Sequence, residues 1–130
     1  MIRVLLVDDH PVVREGLRTM LMGEPAIEVI GEAASGEEAL RRVEELKPDV
    51  ALMDVRMPDM DGIQTTQRIK KAFPTVSVIM LTIYDSEAYV IEAVRAGAAG
   101  YLTKDCSREL LAHAIQAVAE GNSLLRSGLL

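Results

Sequence analysis

The sequence predicts an α/β fold: one parallel sheet with helices on both of its faces. Three observations carry this. Five short runs rich in branched apolar residues are spread through the 130 residues. Each is followed by a stretch whose apolar residues recur at helical spacing, so strand and helix alternate five times. The runs are nearly continuous in apolar character instead of alternating with polar residues, which suits strands covered on both sides. Right-handed crossovers between such strands place the helices on the two faces.

The first run is Ile2-Arg3-Val4-Leu5-Leu6-Val7. It ends in Asp8-Asp9-His10-Pro11, and Pro11 opens a helix running to about Met22. Val13, Leu17, Met20 and Leu21 form the inward face of that helix, with Arg14, Glu15 and Arg18 elsewhere. Gly23-Glu24-Pro25 breaks it, and Ile27 to Ala33 is the second strand. Ser35 caps a helix from 36 to 46 with acids in its first turn and Ala39, Leu40, Val43 and Leu46 on its core face.

Lys47-Pro48-Asp49 turns into the third strand, Val50 to Met53, which hands one carboxylate, Asp54, to its C-terminal end before Pro58. Asp59-Met60-Asp61-Gly62 reads as a loop, and Ile63, Ile69 and Phe73 mark a third helix that stops before Pro74. Val76 to Leu81 is the fourth strand, ending at Thr82. Ile83-Tyr84-Asp85-Ser86 leads into a fourth helix, 86 to 96, closed by Gly97. Ala99 to Leu102 is the fifth strand and precedes Thr103-Lys104-Asp105. A last helix runs from Ser107 to about Glu120 with Leu110, Leu111, Ala114, Ile115 and Val118 inward. The apolar tail from Asn122 to Leu130 reads as a linker or the start of a connecting helix.

A chain of 130 residues fits one domain, and the 49% hydrophobic share, with seven Met, one Phe and no Trp, makes an aliphatic core. The 20 acidic residues exceed the 14 basic ones, and a net charge of −6 argues against this segment gripping nucleic acid by its phosphates. No apolar run reaches the roughly 20 residues of a membrane span, and the first strand begins at once without a signal peptide's layout. The single Cys106 forms no internal disulfide and suits a reducing compartment. The expectation is a cytoplasmic domain without a membrane partner.

A lone Asp after a strand is ordinarily a turn cap, and the company of Asp54 argues otherwise. The carboxyl ends of parallel strands form the crevice where ligands gather in open α/β sheets. Asp8 and Asp9, Asp54, Thr82 and Lys104 all fall there. Three converging carboxylates need a cation, and oxygen ligands suit a hard ion, Mg²⁺ above all. Lys104 adds a fixed positive charge and Thr82 a hydroxyl. Those groups neutralise and position a phosphoryl group, with Asp54 as the nucleophile forming an aspartyl phosphate.

These residues carry a resemblance. Val-Asp-Asp after strand one, Met-Asp-x-x-Met-Pro-x-Met-Asp-Gly after strand three, Thr82, and Gly-Ala-x-Gly-Tyr-Leu-x-Lys into strand five resemble the receiver domain of two-component response regulators. The likeness covers residues 1–121. Asp-Asp-His-Pro and Gly-Tyr-Leu-Thr-Lys-Asp are most similar to the subfamily whose receivers precede a LuxR/NarL-type helix-turn-helix domain.

The resemblance implies a flavodoxin-like (CheY-like) sheet of strand order 2-1-3-4-5, phosphorylated by a sensor histidine kinase. It implies Asp54 as phosphoacceptor, Asp9 as direct Mg²⁺ ligand, Asp8 as a ligand mainly through water, and Arg56 as the donor of a backbone carbonyl to the metal. Thr82 would bond the phosphoryl group, Lys104 would pair with it, and Tyr101 would turn inward as Thr82 moves. Such a domain is a switch rather than an enzyme, catalysing only its own phosphorylation and dephosphorylation. Its output would be transcription, through a C-terminal DNA-binding domain reached by the 122–130 linker, with homodimerisation on phosphorylation. A stand-alone receiver in a phosphorelay, or acting on a protein target, is the alternative.

Within the family, the side chains two past the phosphoacceptor and two past the threonine line the path of the hydrolysing water. Here they are the large Arg56 and Tyr84, so a phosphoryl group lasting hours rather than seconds is expected. The first and last helices, with Val12, Ala112, His113 and Gln116, form one candidate dimer surface, and the fourth helix with the fifth strand forms another. The fourth helix is apolar nearly all round and reads as a patch rearranged on activation.

Other readings weigh less. An aspartyl phosphatase would place a second acid two residues after its nucleophile on the first strand, and Asp8-Asp9 are adjacent. A flavin-binding relative would want hydroxyls and amides there. His10 reads as a turn residue, Cys106 as inert, Met53, Met57 and Met60 as packing, and Asp59 and Asp61 as solvated loop acids. Gly31, Gly36, Gly62, Gly97 and Gly100 serve turns or close packing, since no phosphate-cradling glycine motif occurs.

Overall fold

The computed structural model describes residues 1–83 and 86–124, so Tyr84, Asp85 and the tail from Leu125 to Leu130 lie outside the described residues. The elements are β1 (Ile2–Val7), α1 (Pro11–Met22), β2 (Ile27–Ala33), α2 (Gly36–Leu46), β3 (Val50–Met53), α3 (Gly62–Ala72), β4 (Ser77–Thr82), α4 (Glu87–Ala96), β5 (Gly100–Thr103) and α5 (Arg108–Ala119). All neighbouring strands pair in parallel, in the order β2-β1-β3-β4-β5. This is the flavodoxin-like arrangement. The strands β4 and β5 each sit one residue later than their apolar runs, because they stay paired out to Thr82 opposite Thr103.

The continuous apolar character of the strands has a direct cause. Alternate side chains of the inner strands β1, β3 and β4 enter different cores, and both cores are covered. Leu5, Val7, Ala51, Met53, Val78 and Met80 face one way, against Ala39 and Val43 of α2 and Ile63 and Ile69 of α3. Val4, Leu6, Val50, Leu52, Ile79 and Leu81 face the other, against Leu17 and Leu21 of α1 and Leu111, Ile115 and Val118 of α5. Each such aliphatic side chain contributes about 1.5–3 kcal/mol by leaving water.

Helix starts follow their caps. Ser35 Oγ accepts from the Glu38 N–H at α2, Ser107 Oγ from Leu110 at α5, and Asp61 with Gln64 makes a reciprocal capping box at α3. Gly97 ends α4 at φ +97°, a conformation costly for residues with a Cβ. The helix α4 is thinly held: Ala93 and Ala96 are its buried residues, and it packs mainly on α3.

Two expectations about α5 are corrected. Leu110, placed inward from the sequence, is 49% exposed, whereas Ala112, placed on a contact surface, is 5% exposed. They flank the Leu111-Ile115-Val118 stripe on opposite sides, each roughly 100° from its centre, so periodicity does not choose between them. The methyl of Ala112 fits close against the sheet while Leu110, in the first turn, projects past it. The α1 face is narrower than expected: Leu17 and Leu21 are buried, and Val13 and Met20 are half-buried.

Candidate functional site

In-register parallel pairing levels the strand ends, and one more backbone hydrogen bond past each strand fixes the residue that follows. The Asp8 N–H donates to Ala33 O, Asp54 N–H to Val7 O at 2.9 Å, and Lys104 N–H to Thr82 O at 2.8 Å. The side chains of Asp8, Asp54 and Lys104 therefore meet at one edge, with Thr82 at the end of β4 beside Lys104 in the backbone ladder. Asp9 and His10 follow on the turn into α1.

Asp8 and Asp54 are 2% and 4% exposed. The Lys104 ammonium lies 2.6 Å from Asp8 Oδ2 and 3.3 Å from Asp54 Oδ1. Asp8 Oδ1 accepts from the His10 N–H at 2.8 Å and sits 3.1 Å from the imidazole Nδ1. Asp9 Oδ1 is buried with no hydrogen-bond partner. The His10 Nδ1 stands 3.2 Å from it, but without the alignment a hydrogen bond needs. His10 is thus a turn residue, at the N-cap of α1, whose ring nonetheless faces both acids.

The cluster is electrostatically stressed. Burial, then the charge of Asp8, pushes the Asp54 carboxyl above its ordinary pKa, opposed by Lys104 and by a hydrogen bond from the Arg56 backbone. Burial alone would lower Lys104, but its hydrogen bond to Asp8 and the charge of Asp54 outweigh that and raise it. One ligand atom from each of Asp8, Asp9, His10 and Asp54 lies within 4.8 Å of the others. A mostly oxygen donor set, including an orphaned carboxylate oxygen, fits a hard divalent cation.

Backbone packing holds the site from beneath. A Cβ at Gly62 would overlap the Asp54 carbonyl, so only glycine lets α3 start this close to the third strand's tip. Thr82 is fully buried, and Tyr101 is half-buried against the core on the α4 side. Arg56 is exposed, and its backbone hydrogen-bonds Asp54. Asp59 and Asp61 are not in the cluster: Asp59 is exposed at φ +67°, and Asp61, instead of being merely solvated, caps α3. Burial, then Asp105, raises the Cys106 thiol pKa, which disfavours the reactive thiolate. Met53 and Met57 are buried.

One pair at the site's rear was not singled out in the sequence. Arg14, on the polar side of α1, donates to the Asp8 carbonyl at 2.6 Å and to Glu32 of β2 at 2.8 Å. The available signal was a glutamate inside the β2 run facing arginines spaced i, i+4 on α1. A shallow groove of about 320 Å³, lined by Val13, Leu17, Met20, Ile83 and Lys104, runs from α1 to the site.

A parallel sheet in this order, with acids at the first and third strand tips and a lysine past the fifth, is shared with a known family. The response regulator receiver domain matches residues 4–116, and the chain belongs to that family. It is 44% identical over 126 residues to the transcriptional regulatory protein YxjL of Bacillus subtilis, covering 97% of this chain and 58% of that protein. It is also 44% identical over 125 residues to the DNA-binding transcriptional activator DevR/DosR of Mycobacterium tuberculosis, covering 96% and 58%. Among solved structures, the receiver domain of the response regulator NarL from Mycobacterium tuberculosis superposes with a TM-score of 0.89 at 38% identity, covering 93% of this chain and 98% of that one. The relatives are LuxR/NarL-type and related transcriptional regulators, and the chain spans a little over half the length of the YxjL and DevR/DosR proteins. Among the described residues, no helix is long and apolar enough to cross a membrane.

Proposed function

We propose that this domain is a phosphorylation switch in which Asp54 accepts a phosphoryl group from a sensor histidine kinase. The observation that carries the reading is the meeting of Asp8, Asp9 and Asp54 with Lys104 at one sheet edge in a chain of the receiver family. An Asp54 oxygen attacks the phosphorus of a kinase phosphohistidine. The O–P bond forms as the N–P bond breaks, and the departing imidazole takes its proton from solvent.

Asp9, Asp8 through water, Asp54 and the Arg56 carbonyl would hold Mg²⁺, which supplies positive charge against the phosphoryl oxygens. Lys104, now shared by Asp8 and Asp54, pairs with the phosphoryl group once it is attached. The Thr82 hydroxyl donates to it, and Tyr101 turns inward into the space Thr82 leaves. The phosphoryl group adds about −1.5 to −2 charge beside three acids, and the thinly packed α4 is the element that yields. Apart from this self-phosphorylation and its reversal, the domain is not an enzyme.

A protein partner fits the setting better than a small substrate. The groove beside the site is shallow, and Ile83 at its rim is 70% exposed. Because the relatives are longer and regulate transcription, the output is proposed to pass through a helix-turn-helix DNA-binding domain beyond residues 1–121. Residues 122–130 would lead to it, in a cytoplasmic protein that dimerises on phosphorylation. Exposed Val12 and His113 keep the α1–α5 surface a candidate, without Ala112. The large, exposed Arg56 two residues past Asp54 supports a long-lived phosphoryl group, while Tyr84 lies outside the described residues.

Acetyl phosphate with Mg²⁺, followed by intact mass and sedimentation, tests the reading. One added phosphoryl group on wild type and none on Asp54→Asn is expected, with dimers formed by the former. Equal labelling of both, or no labelling of either, would sink it.

A further inference from the structure

We propose that Arg14 is a positioning residue for the metal: its guanidinium, clamped by Glu32, fixes the Asp8–Asp9 peptide and so aims the Asp9 carboxylate. The inference rests on the proposed Mg²⁺ role of Asp8 and Asp9 and adds the side chains that hold them.

The Val7 carbonyl is the last in the ladder to serve β3, taking the Asp54 N–H. The next carbonyl, that of Asp8, turns away from the ladder, and a buried carbonyl needs a partner. Arg14 supplies it, with Nη1 at 2.6 Å. Since a peptide unit is planar, holding the Asp8 oxygen sets the plane that carries the Asp9 nitrogen and Cα. It thereby sets where the Asp9 side chain departs. Asp9 Oδ1 has no hydrogen bond of its own to hold it among the other acids. Beside the unaligned His10 ring at 3.2 Å, backbone orientation is the main constraint that aims it.

The clamp is built for this task. The Arg14 side chain is 16% exposed, and its Nε lies 2.8 Å from Glu32 Oε1. The other Glu32 oxygen is taken by Arg18, whose Nη2 is at 2.7 Å. Burial opposes the Glu32 charge, but the hydrogen bonds of Arg18 and Arg14 outweigh it and hold the carboxyl below its ordinary pKa. A staple between α1 and β2 needs only Arg18 and Glu32. The reach of Arg14 to a main-chain oxygen serves the acidic turn alone. Lysine, with a single ammonium, cannot donate in two fixed directions in this way.

The test is Mg²⁺ titration by calorimetry on wild type, Arg14→Met, Arg14→Lys, Glu32→Gln and the Arg14→Met/Glu32→Gln pair. Partners behind metal ligands typically change affinity by about 10–100-fold, so Arg14→Met is expected to weaken Mg²⁺ at least about tenfold. Arg14→Lys should rescue little of this, Glu32→Gln should lose less, and the double variant should be no worse than Arg14→Met. Arg108→Met, which removes the 3.7 Å Glu24 pair at the far end of α1, is the control for a structural role and should leave Mg²⁺ affinity unchanged.

A second readout needs no metal. In the metal-free protein the Asp8, Asp9 and His10 amide resonances should shift and exchange faster in Arg14→Met, and not in Arg108→Met. Affinity kept within about twofold in Arg14→Met overturns the inference alone, whatever the amides do. Wild type that binds no Mg²⁺ overturns the metal reading and this inference together.

Discussion

Replacing Asp54 with Asn should make the metal-free protein more stable. At an effective dielectric constant of about 20, the 3.3 Å approach of Lys104 to Asp54 is worth about 5 kcal/mol of attraction. Against this, Asp54 faces the charges of Asp8 and Asp9 with ligand oxygens no more than 4.8 Å away, and each repulsion costs at least about 3.5 kcal/mol on the same scale. The repulsions exceed the attraction by about 2 kcal/mol, and the cost of burying an ionised carboxylate acts in the same direction. Asn keeps the shape, can leave its oxygen toward Lys104, and turns an N–H toward the acids. For a domain of this size about 2 kcal/mol raises the melting midpoint by roughly 5–10 °C.

The pH dependence has a definite sign. The folded pKa of Asp54 is raised, so the favourable contribution of its protonated form is present at low pH and is lost as pH rises through that folded value. The advantage of Asp54→Asn should therefore grow as pH rises and shrink on acidification. Added Mg²⁺ should narrow it too, since an ion at about 100 times its dissociation constant stabilises wild type by about 2.7 kcal/mol. Thermal melts with EDTA and with Mg²⁺ at several pH values make the measurement. A variant no more stable than wild type near neutral pH without metal, or an advantage indifferent to pH, would refute the electrostatic account.

Other substitutions separate the parts of the site. Gly62→Ala drives a Cβ into the Asp54 carbonyl, with no flexible side chain to yield, so urea unfolding should show a loss of about 3 kcal/mol or more. Asp61→Ala removes a capping box and should cost about 1 kcal/mol in the same assay while leaving Mg²⁺ affinity unchanged. Lys104→Met strips the buried Asp8 of its 2.6 Å partner and should destabilise by about 3–5 kcal/mol, opposite in sign to Asp54→Asn. Glu32, held below its ordinary value of 4.5, contributes stability above that value and loses it as pH falls through the depressed one. Glu32→Gln should accordingly flatten the acid limb of a stability–pH curve.

The sheet was legible because both faces of its inner strands are buried, which turns them into unbroken apolar runs such as Val4 to Val7, while the edge strand β2 keeps Glu28 and Glu32. Its strand tips were legible for the same reason: the first polar residue after each run is the one the register levels with its neighbours. What periodicity left open was orientation to within one helical step, and Leu110 and Ala112 show it. Arg14 was hidden for another reason. A polar residue on the outer side of a helix reads as solvated, and nothing in α1 itself announces that a carbonyl six residues back needs a donor. Asp61 was likewise legible as a loop acid, whereas its cap depends on where α3 starts.

The Lys104–Asp8 bridge joins residues 96 apart in the chain. During synthesis, which delivers N-terminal segments first, all three carboxylates leave the ribosome well before the one lysine that offsets them. A nascent chain that has completed β1 to β4 holds the repulsion without its counter-cation, and only the docking of the last strand brings Lys104 to relieve it. A chain split between β4 and α4 would inherit the same division, with acids on one fragment and the ammonium on the other. Shape and this one bridge then favour reassembly against like net charges, −4 on residues 1–82 and −2 on residues 83–130, so mixing the two fragments at rising salt concentration should speed their association.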